Sequence, residues 1–283
     1  MSPGQADLFG HEPAGAGAAS RCRPGPIRVG TSGYSFADWI GPFYPPGTRG
    51  GEMLDHYQRN FNTVEINATY YRLTPPATLR RLAERTPPDF RFTVKLPGAL
   101  THQREGGTAP AGDFAAAVAP LRQAGKYAGA LAQFPFSFRR SAQNEDYLRR
   151  LKGALPDHPL FVEFRHASWD GPDLEEFLRA HGCGFCSVDE PALAGLFPRR
   201  AAAVGPVAYV RFHGRNAGQW WSGGAQRYDY SYSRAELEPW AGLIRDLAAR
   251  SEQTYLFFNN CHAGQAVLSA RMMEEILGLD REP

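Results

Sequence analysis

Cysteine is scarce in this sequence. The 283 residues hold four, Cys22, Cys183, Cys186 and Cys261, too few for the disulfide framework of a secreted scaffold. Cys183 and Cys186 have C-x-x-C spacing, but no second pair completes a zinc site. Cys186 lies in an apolar run, where cysteine behaves as a small hydrophobe. A reducing, cytoplasmic setting is expected. Long apolar runs are also lacking, which argues against a membrane helix. The first residues have neither the basic start nor the apolar core of a secretory signal. No charge sign dominates: 31 Lys and Arg face 29 Asp and Glu, a net of +2. That balance does not demand a nucleic-acid partner, yet leaves room for a local basic surface. No Walker loop, serine elbow or pyridoxal-type lysine motif occurs. Gly30-Thr-Ser-Gly33 is too short for a dinucleotide fingerprint. No cofactor is therefore expected.

What is present is an ordinary globular composition, 43% hydrophobic and 21% charged. Residues 1–26 are rich in Gly, Ala and Pro without periodicity and read as a disordered tail. Within it, Gln5-Ala-Asp-Leu-Phe9 resembles the Gln-x-x-Leu-Phe peptide by which bacterial replication and repair proteins dock on the sliding clamp. Gln5, Leu8 and Phe9 would be the anchors, and the tail would give reach. A chance match is the competing reading.

Residues 27–283 read as one domain in which strands and helices alternate. Strands are expected at 27–32, 63–68, 90–96, 127–134, 160–165, 184–189, 207–213 and 254–260. Helices are expected at 51–61, 77–86, 113–124, 142–155, 173–181, 234–250 and 265–277. Such alternation calls for parallel strands joined by helical crossovers. Eight units predict an α/β fold, a (β/α)8 TIM-type barrel whose helix after strand six is missing or degenerate. An open doubly wound sheet is the alternative.

In such a barrel the active groups sit at the C-terminal strand ends. The segment Phe161-Val-Glu-Phe-Arg-His166 shows why those ends matter here. Side chains alternate along a strand, so Glu163 and Arg165 share a face inside an apolar run, and buried charge is costly unless paired or used. The pattern recurs at Thr31 and Ser32, Glu65 and Asn67, Lys95, Gln133, Asp189 and Glu190, Arg211 and His213, and Asn259 and Asn260. Ion pairs that merely fill the barrel are the bland alternative for Glu163 and Arg165. Arg suits bidentate contact with phosphate or carboxylate, so Lys95, Arg165, Arg211 and Arg215 form an expected anion-binding set. Glu65, Glu163, Asp189 and His213 are the expected acid–base groups. The same four are also a weaker candidate metal set, since the neighbouring cations would repel a metal ion. Asn67, Tyr70, Gln133, Trp169, Trp220 and Asn259 are expected to touch the substrate. The long loop 215–233, with Trp220, Trp221 and Arg227, reads as a lid or binding loop. Lys95 also occupies a position fit for a Schiff-base lysine, although a phosphate contact is the reading favoured from sequence.

Several of these segments together resemble the YecE-like family, domain of unknown function 72. They are Val29-Gly-Thr-Ser-Gly-Tyr34, Thr63-Val-Glu-Ile-Asn-Ala-Thr-Tyr-Tyr71, Phe92-Thr-Val-Lys-Leu-Pro97 with Thr101-His102, Gln133-Phe-Pro135, Glu163-Phe-Arg-His166 with Trp169, Asp189-Glu-Pro191, and Tyr209-Val-Arg-Phe-His-Gly-Arg215. The resemblance covers about residues 27–278 and implies a TIM-type barrel, with no reaction attached. The functional expectation therefore rests on the rim. It is an enzyme, of hydrolase or lyase class, acting on a phosphate-bearing substrate, with nucleic acid among the candidates. The alternatives are a sugar or sugar-phosphate isomerase, lyase or hydrolase, and a non-catalytic binding module.

Overall fold

A computed structural model describes residues 27–279. Gln5–Phe9 and Cys22 lie outside the described residues. Eight parallel strands follow the expected order: β1 (Ile27–Thr31), β2 (Thr63–Ile66), β3 (Arg91–Lys95), β4 (Tyr127–Gln133), β5 (Leu160–Glu163), β6 (Gly184–Asp189), β7 (Val207–Phe212) and β8 (Gln253–Phe258). β1 pairs with β8. The ring closes where Ser32 bridges Glu65 and Gly33 N–H donates to the Glu65 carbonyl. A Cβ on Gly30 would lie 2.3 Å from the Thr63 carbonyl oxygen, so glycine permits this close seam between β1 and β2.

Seven α-helices cover the outside: α1 (Met53–Tyr57), α2 (Pro76–Glu84), α3 (Ala111–Gln123), α4 (Ala142–Ala154), α5 (Leu174–Ala180), α6 (Arg234–Ala249) and α7 (Gln265–Leu277). The connection from β6 to β7 contains no helix, as its Pro, Ala and Gly content predicts. Local chemistry fixes the helix starts. The Ser141 side chain accepts from Asn144 N–H at α4, and Ser233 with Glu236 forms a capping box at α6, each contributing on the order of 1 kcal/mol.

Strand parity divides the core in two. Leu131, Phe161, Cys186, Val188, Tyr209, Tyr255 and Phe257 fill the barrel. Val64, Phe92, Val94, Val162, Val210, Phe212 and Leu256 belong to the larger cluster shared with the helices. A bulge at Tyr127–Gly129 resets β4 against β3. Gly129 (φ +142) is needed there, because a Cβ would meet the Phe161 ring at 2.6 Å. The reset lets Leu131 and Gln133 share the inward face with Thr93 and Lys95.

Candidate functional site

Above the interior hydrophobes, inward positions become polar. On β7, Tyr209 is followed by Arg211 and His213. On β5, Phe161 is followed by Glu163 and Arg165. Arg211 is held between two carboxylates, with Nη1 2.6 Å from Glu163 Oε2 and Nη2 2.7 Å from Glu65 Oε1. Tyr209 donates to Glu65 Oε2 at 2.6 Å and pairs with the Thr93 hydroxyl at 2.9 Å. Arg165 Nη2 lies 2.8 Å from Glu163 Oε1, and Nη1 donates to Glu190 Oε2. Glu65, Glu163, Arg211 and His213 are buried. The alternating chain Glu65–Arg211–Glu163–Arg165–Glu190 satisfies charges that would otherwise oppose burial.

Burial would raise the Glu163 carboxyl, but the guanidinium groups of Arg211 and Arg165 outweigh it and hold the carboxyl well below its usual range. His213 is pushed down to about 3, first by burial and then by Arg165. With its proton on Nε2 the neutral ring accepts from Asn259 Nδ2 at Nδ1 (3.0 Å) and donates to Glu163 Oε1 (3.1 Å); Arg165 Nη2, also 3.1 Å from Nε2, then finds its acceptor in Glu163. Neither group is poised to exchange a proton near neutrality. Glu190 is pushed up to about 7 by burial, with Arg165 opposing. It faces a smaller cavity under the β6–β7 connection, lined by Leu193, Leu196 and Phe197 among others.

The mouth itself is a cavity of about 740 Å³. Lys95, Arg165, Arg211 and Arg227 line it, and among the described residues no Asp or Glu does. Asn67, Gln133, Asn259 and His102 add polar groups, and Tyr70, Phe136, Trp220 and Tyr228 add rings. Asn67 Oδ1 is buried without a hydrogen-bond partner among the described residues. Lys95 Nζ donates to Gln133 Oε1 at 2.7 Å and lies 4.6 Å from the centre of the Tyr70 ring. Burial, then the charge of Arg211, push Lys95 down to about 7. The Tyr70 ring favours the charged amine and opposes those effects, by about 2 kcal/mol for a desolvated pair. His102 is pushed down to about 4 by burial and then Lys95, so its ring is neutral at neutral pH.

Loop 215–233 folds over this mouth through two short 3-10 turns, Ala217–Gln219 and Gly224–Tyr228. Trp220 is buried and covers Arg165, whose guanidinium carbon lies 5.3 Å from the ring centre. Trp221 remains 56% exposed, edge-on to Phe136.

A family model described as "Protein of unknown function DUF72" matches residues 28–283. The chain belongs to the DUF72 family. It is 32% identical over 274 residues to the UPF0759 protein YunF of Bacillus subtilis, covering 90% of this chain and 95% of that one. It is 36% identical over 77 residues to the UPF0759 protein YecE of Escherichia coli, 27% of this chain and 26% of that one. Among solved structures, a DUF72 family protein from Thermotoga maritima superposes with a TM-score of 0.83 at 43% identity, covering 89% of this chain and 99% of that one. D-psicose 3-epimerase superposes at 0.52 with 9% identity, covering 89% and 99%, a likeness of fold alone.

Within this DUF72 barrel, the structure brings Lys95, Arg165, Arg211, Asn67, Tyr70, Gln133, Trp220 and Asn259 together at the mouth. Glu65, Glu163 and His213 lie behind them, bound to the arginines and to Asn259. Asp189 is not with them. Val188 takes the inward position of β6, so Asp189 faces the helices, where it accepts from Arg215, Tyr232 and Trp240. Arg215 is thereby drawn out of the expected anion-binding set. Trp169 is also elsewhere: its ring is buried between Phe138 and Phe164, and Nε1 donates to the Phe138 carbonyl. The weaker metal set fails to converge for the same reason, since Asp189 is turned away and Arg211 stands between Glu65 and Glu163. Among the described residues no group of three His, Cys, Asp or Glu is arranged to hold a metal ion. Glu190, one residue past β6, shares the parity of Cys186 and Val188 and is the carboxylate there that reaches Arg165. Arg227 and Tyr228 come from an irregular loop, and no periodic signal points to them.

Proposed function

We propose that this barrel is an enzyme that holds the phosphate of a small substrate in its mouth cavity and acts on it by proton transfer, in the hydrolase or lyase class. One observation carries the reading: the cavity is lined by four basic side chains and no carboxylate. The carboxylates that balance Arg165 and Arg211 lie behind the cavity, so the charged groups facing a ligand are basic, and a phosphate accepts from both Arg and Lys. About 740 Å³ suits a sugar phosphate or a single nucleotide unit. Glu65, Glu163 and Glu190 then position Arg211 and Arg165. Lys95, the basic group at the mouth closest to neutrality, is the candidate proton carrier. Tyr70, Trp220 and Tyr228 offer faces to a sugar or base.

The exposed rings of Tyr71 (87%) and Trp221 (56%) at the rim favour a second reading. In it the cavity takes the terminal nucleotide of a single strand, and these rings stack on the next bases. Docking of Gln5–Phe9 on a sliding clamp would fit that reading. A peptide of residues 1–12 that binds the clamp, and loses binding when Leu8 and Phe9 become Ala, would support it.

The test is a thermal-shift panel of sugar phosphates, nucleoside monophosphates, short single strands and unphosphorylated sugars, with hits followed for turnover by NMR. Phosphorylated compounds should raise Tm in wild type and not in Arg227→Glu. Equal stabilisation by unphosphorylated sugars would overturn the reading. Binding without turnover of any compound would support a binding module instead.

A further inference from the structure

Of the 31 basic side chains in this protein, only three are lysines. Two serve the backbone. Lys126 is buried and donates to the carbonyls of Ala83 and Thr86. Lys152 donates to the carbonyls of Leu155, Pro156 and His158. Lys95 differs from both: its amine reaches the cavity and, among the described residues, touches no carbonyl of the main chain and no carboxylate. The chain uses arginine for nearly every other cationic task, including those at the same mouth. An arginine here would bind phosphate as well or better. What it would lack is a nitrogen that can lose its proton and attack carbon.

We propose that Lys95 is a covalent amine, which forms an imine with the carbonyl group of a phosphorylated aldehyde or ketone held in the mouth. The inference rests on the reading that this cavity binds the substrate's phosphate, and it names the substrate class. The geometry supplies three requirements of such a lysine. First, Gln133 Nε2 donates to the Phe134 carbonyl at 3.0 Å, which orients the Gln133 amide with Oε1 toward Nζ. Gln133 therefore takes a hydrogen from Lys95 and leaves the nitrogen lone pair available. Second, Arg165 and Arg211 lie near enough to disfavour the ammonium, and burial acts in the same direction. Third, Glu163 and Glu65, which would favour it, are bound to those arginines and stay behind them.

The step balances without a redox partner. The lone pair of neutral Nζ attacks the carbonyl carbon, and the carbon–oxygen π pair moves to oxygen. A proton passes from nitrogen to that oxygen to give a carbinolamine. The oxygen takes up a second proton and leaves as water while nitrogen forms the double bond to carbon. The resulting protonated imine withdraws electrons from the neighbouring carbon–carbon or carbon–hydrogen bond. That is the chemistry of a lyase or isomerase of phosphorylated carbonyl compounds.

The test uses the full-length protein and pyridoxal 5′-phosphate, an aldehyde bearing a phosphate. Sodium borohydride reduces any imine to a stable secondary amine, and peptide mass spectrometry locates it. Three lysines and the amino terminus are the possible sites, so the map is complete. Lys95 should be labelled at least tenfold faster than Lys126 or Lys152. Its rate should reach half-maximum near pH 7, and inorganic phosphate should slow it. Ribose 5-phosphate and borohydride should leave the corresponding sugar adduct on Lys95. Labelling spread evenly over Lys95, Lys152 and the amino terminus would overturn the proposal. So would an unlabelled Lys95 in protein that binds phosphate by calorimetry. Loss of phosphate binding itself would count against the cavity reading rather than against the amine.

Discussion

Two clusters of charge lie one register step apart at the same end of the barrel, and they serve different ends. Inward, Glu65, Arg211, Glu163, Arg165 and Glu190 form a chain that presents guanidinium groups to a cavity. Outward, Asp189 gathers Arg215, Tyr232 and Trp240. It thereby ties β6, the loop after β7 and α6 together. Both clusters contain a buried carboxylate and bidentate or bridging arginine contacts. What separates them is parity: Val188 and Glu190 face in, and Asp189 between them faces out. Position at a strand end is therefore not enough to place a residue in the site, because adjacent residues address opposite layers.

Breaking the inward cluster should cost most. Glu163→Ala leaves the buried Arg211 and Arg165 short of a partner, and such a loss costs about 3–5 kcal/mol. Urea unfolding should show it, together with weakened phosphate binding. Asp189→Asn should cost about 1–3 kcal/mol, since Arg215, Tyr232 and Trp240 lose a charged acceptor. Phosphate binding should be unchanged, because Asp189 does not line the cavity. Equal damage to binding by both variants would erase the distinction between the clusters.

Acid should act on the inward cluster through His213. Its folded value of about 3 lies below the ordinary 6.5, so the unfolded chain binds a proton that the folded one refuses. This contribution to stability is fully present above pH 6.5 and is lost as pH falls from there toward 3. Its slope reaches about 1.4 kcal/mol per pH unit at most. His213→Asn should flatten that part of the unfolding profile. The smallest effect concerns Lys95. Protonation below about pH 7 adds a cation to the mouth, so phosphate affinity should rise a few-fold as pH falls through 7. Lys95→Gln should remove that dependence.

Much of the barrel is legible in the sequence, because both signals that build it are periodic. The α6 segment 234–250 is periodic at helical spacing, and the strand segments are short apolar runs bounded by turns. The missing helix is legible as Pro, Ala and Gly between Asp189 and Val207. The inward arginines and Glu163 follow from alternation. Asp189 and Arg215 do not, because a strand-end rule ignores which layer a residue faces. Trp169 shows the same limit for aromatics: its place after β5 suggests the mouth, yet stacking on Phe138 and Phe164 buries it. Arg227 and Tyr228 are legible only as members of a loop expected to bind or cover the mouth; which of its side chains enter the cavity depends on how that aperiodic loop folds.

Calorimetric titration with ribose 5-phosphate and with ribose, on wild type and Arg227→Glu, tests the anion-binding mouth most directly. The account predicts that wild type binds the phosphorylated sugar alone and that Arg227→Glu loses it. Equal binding of both sugars, or undiminished ribose 5-phosphate binding in Arg227→Glu, would contradict it.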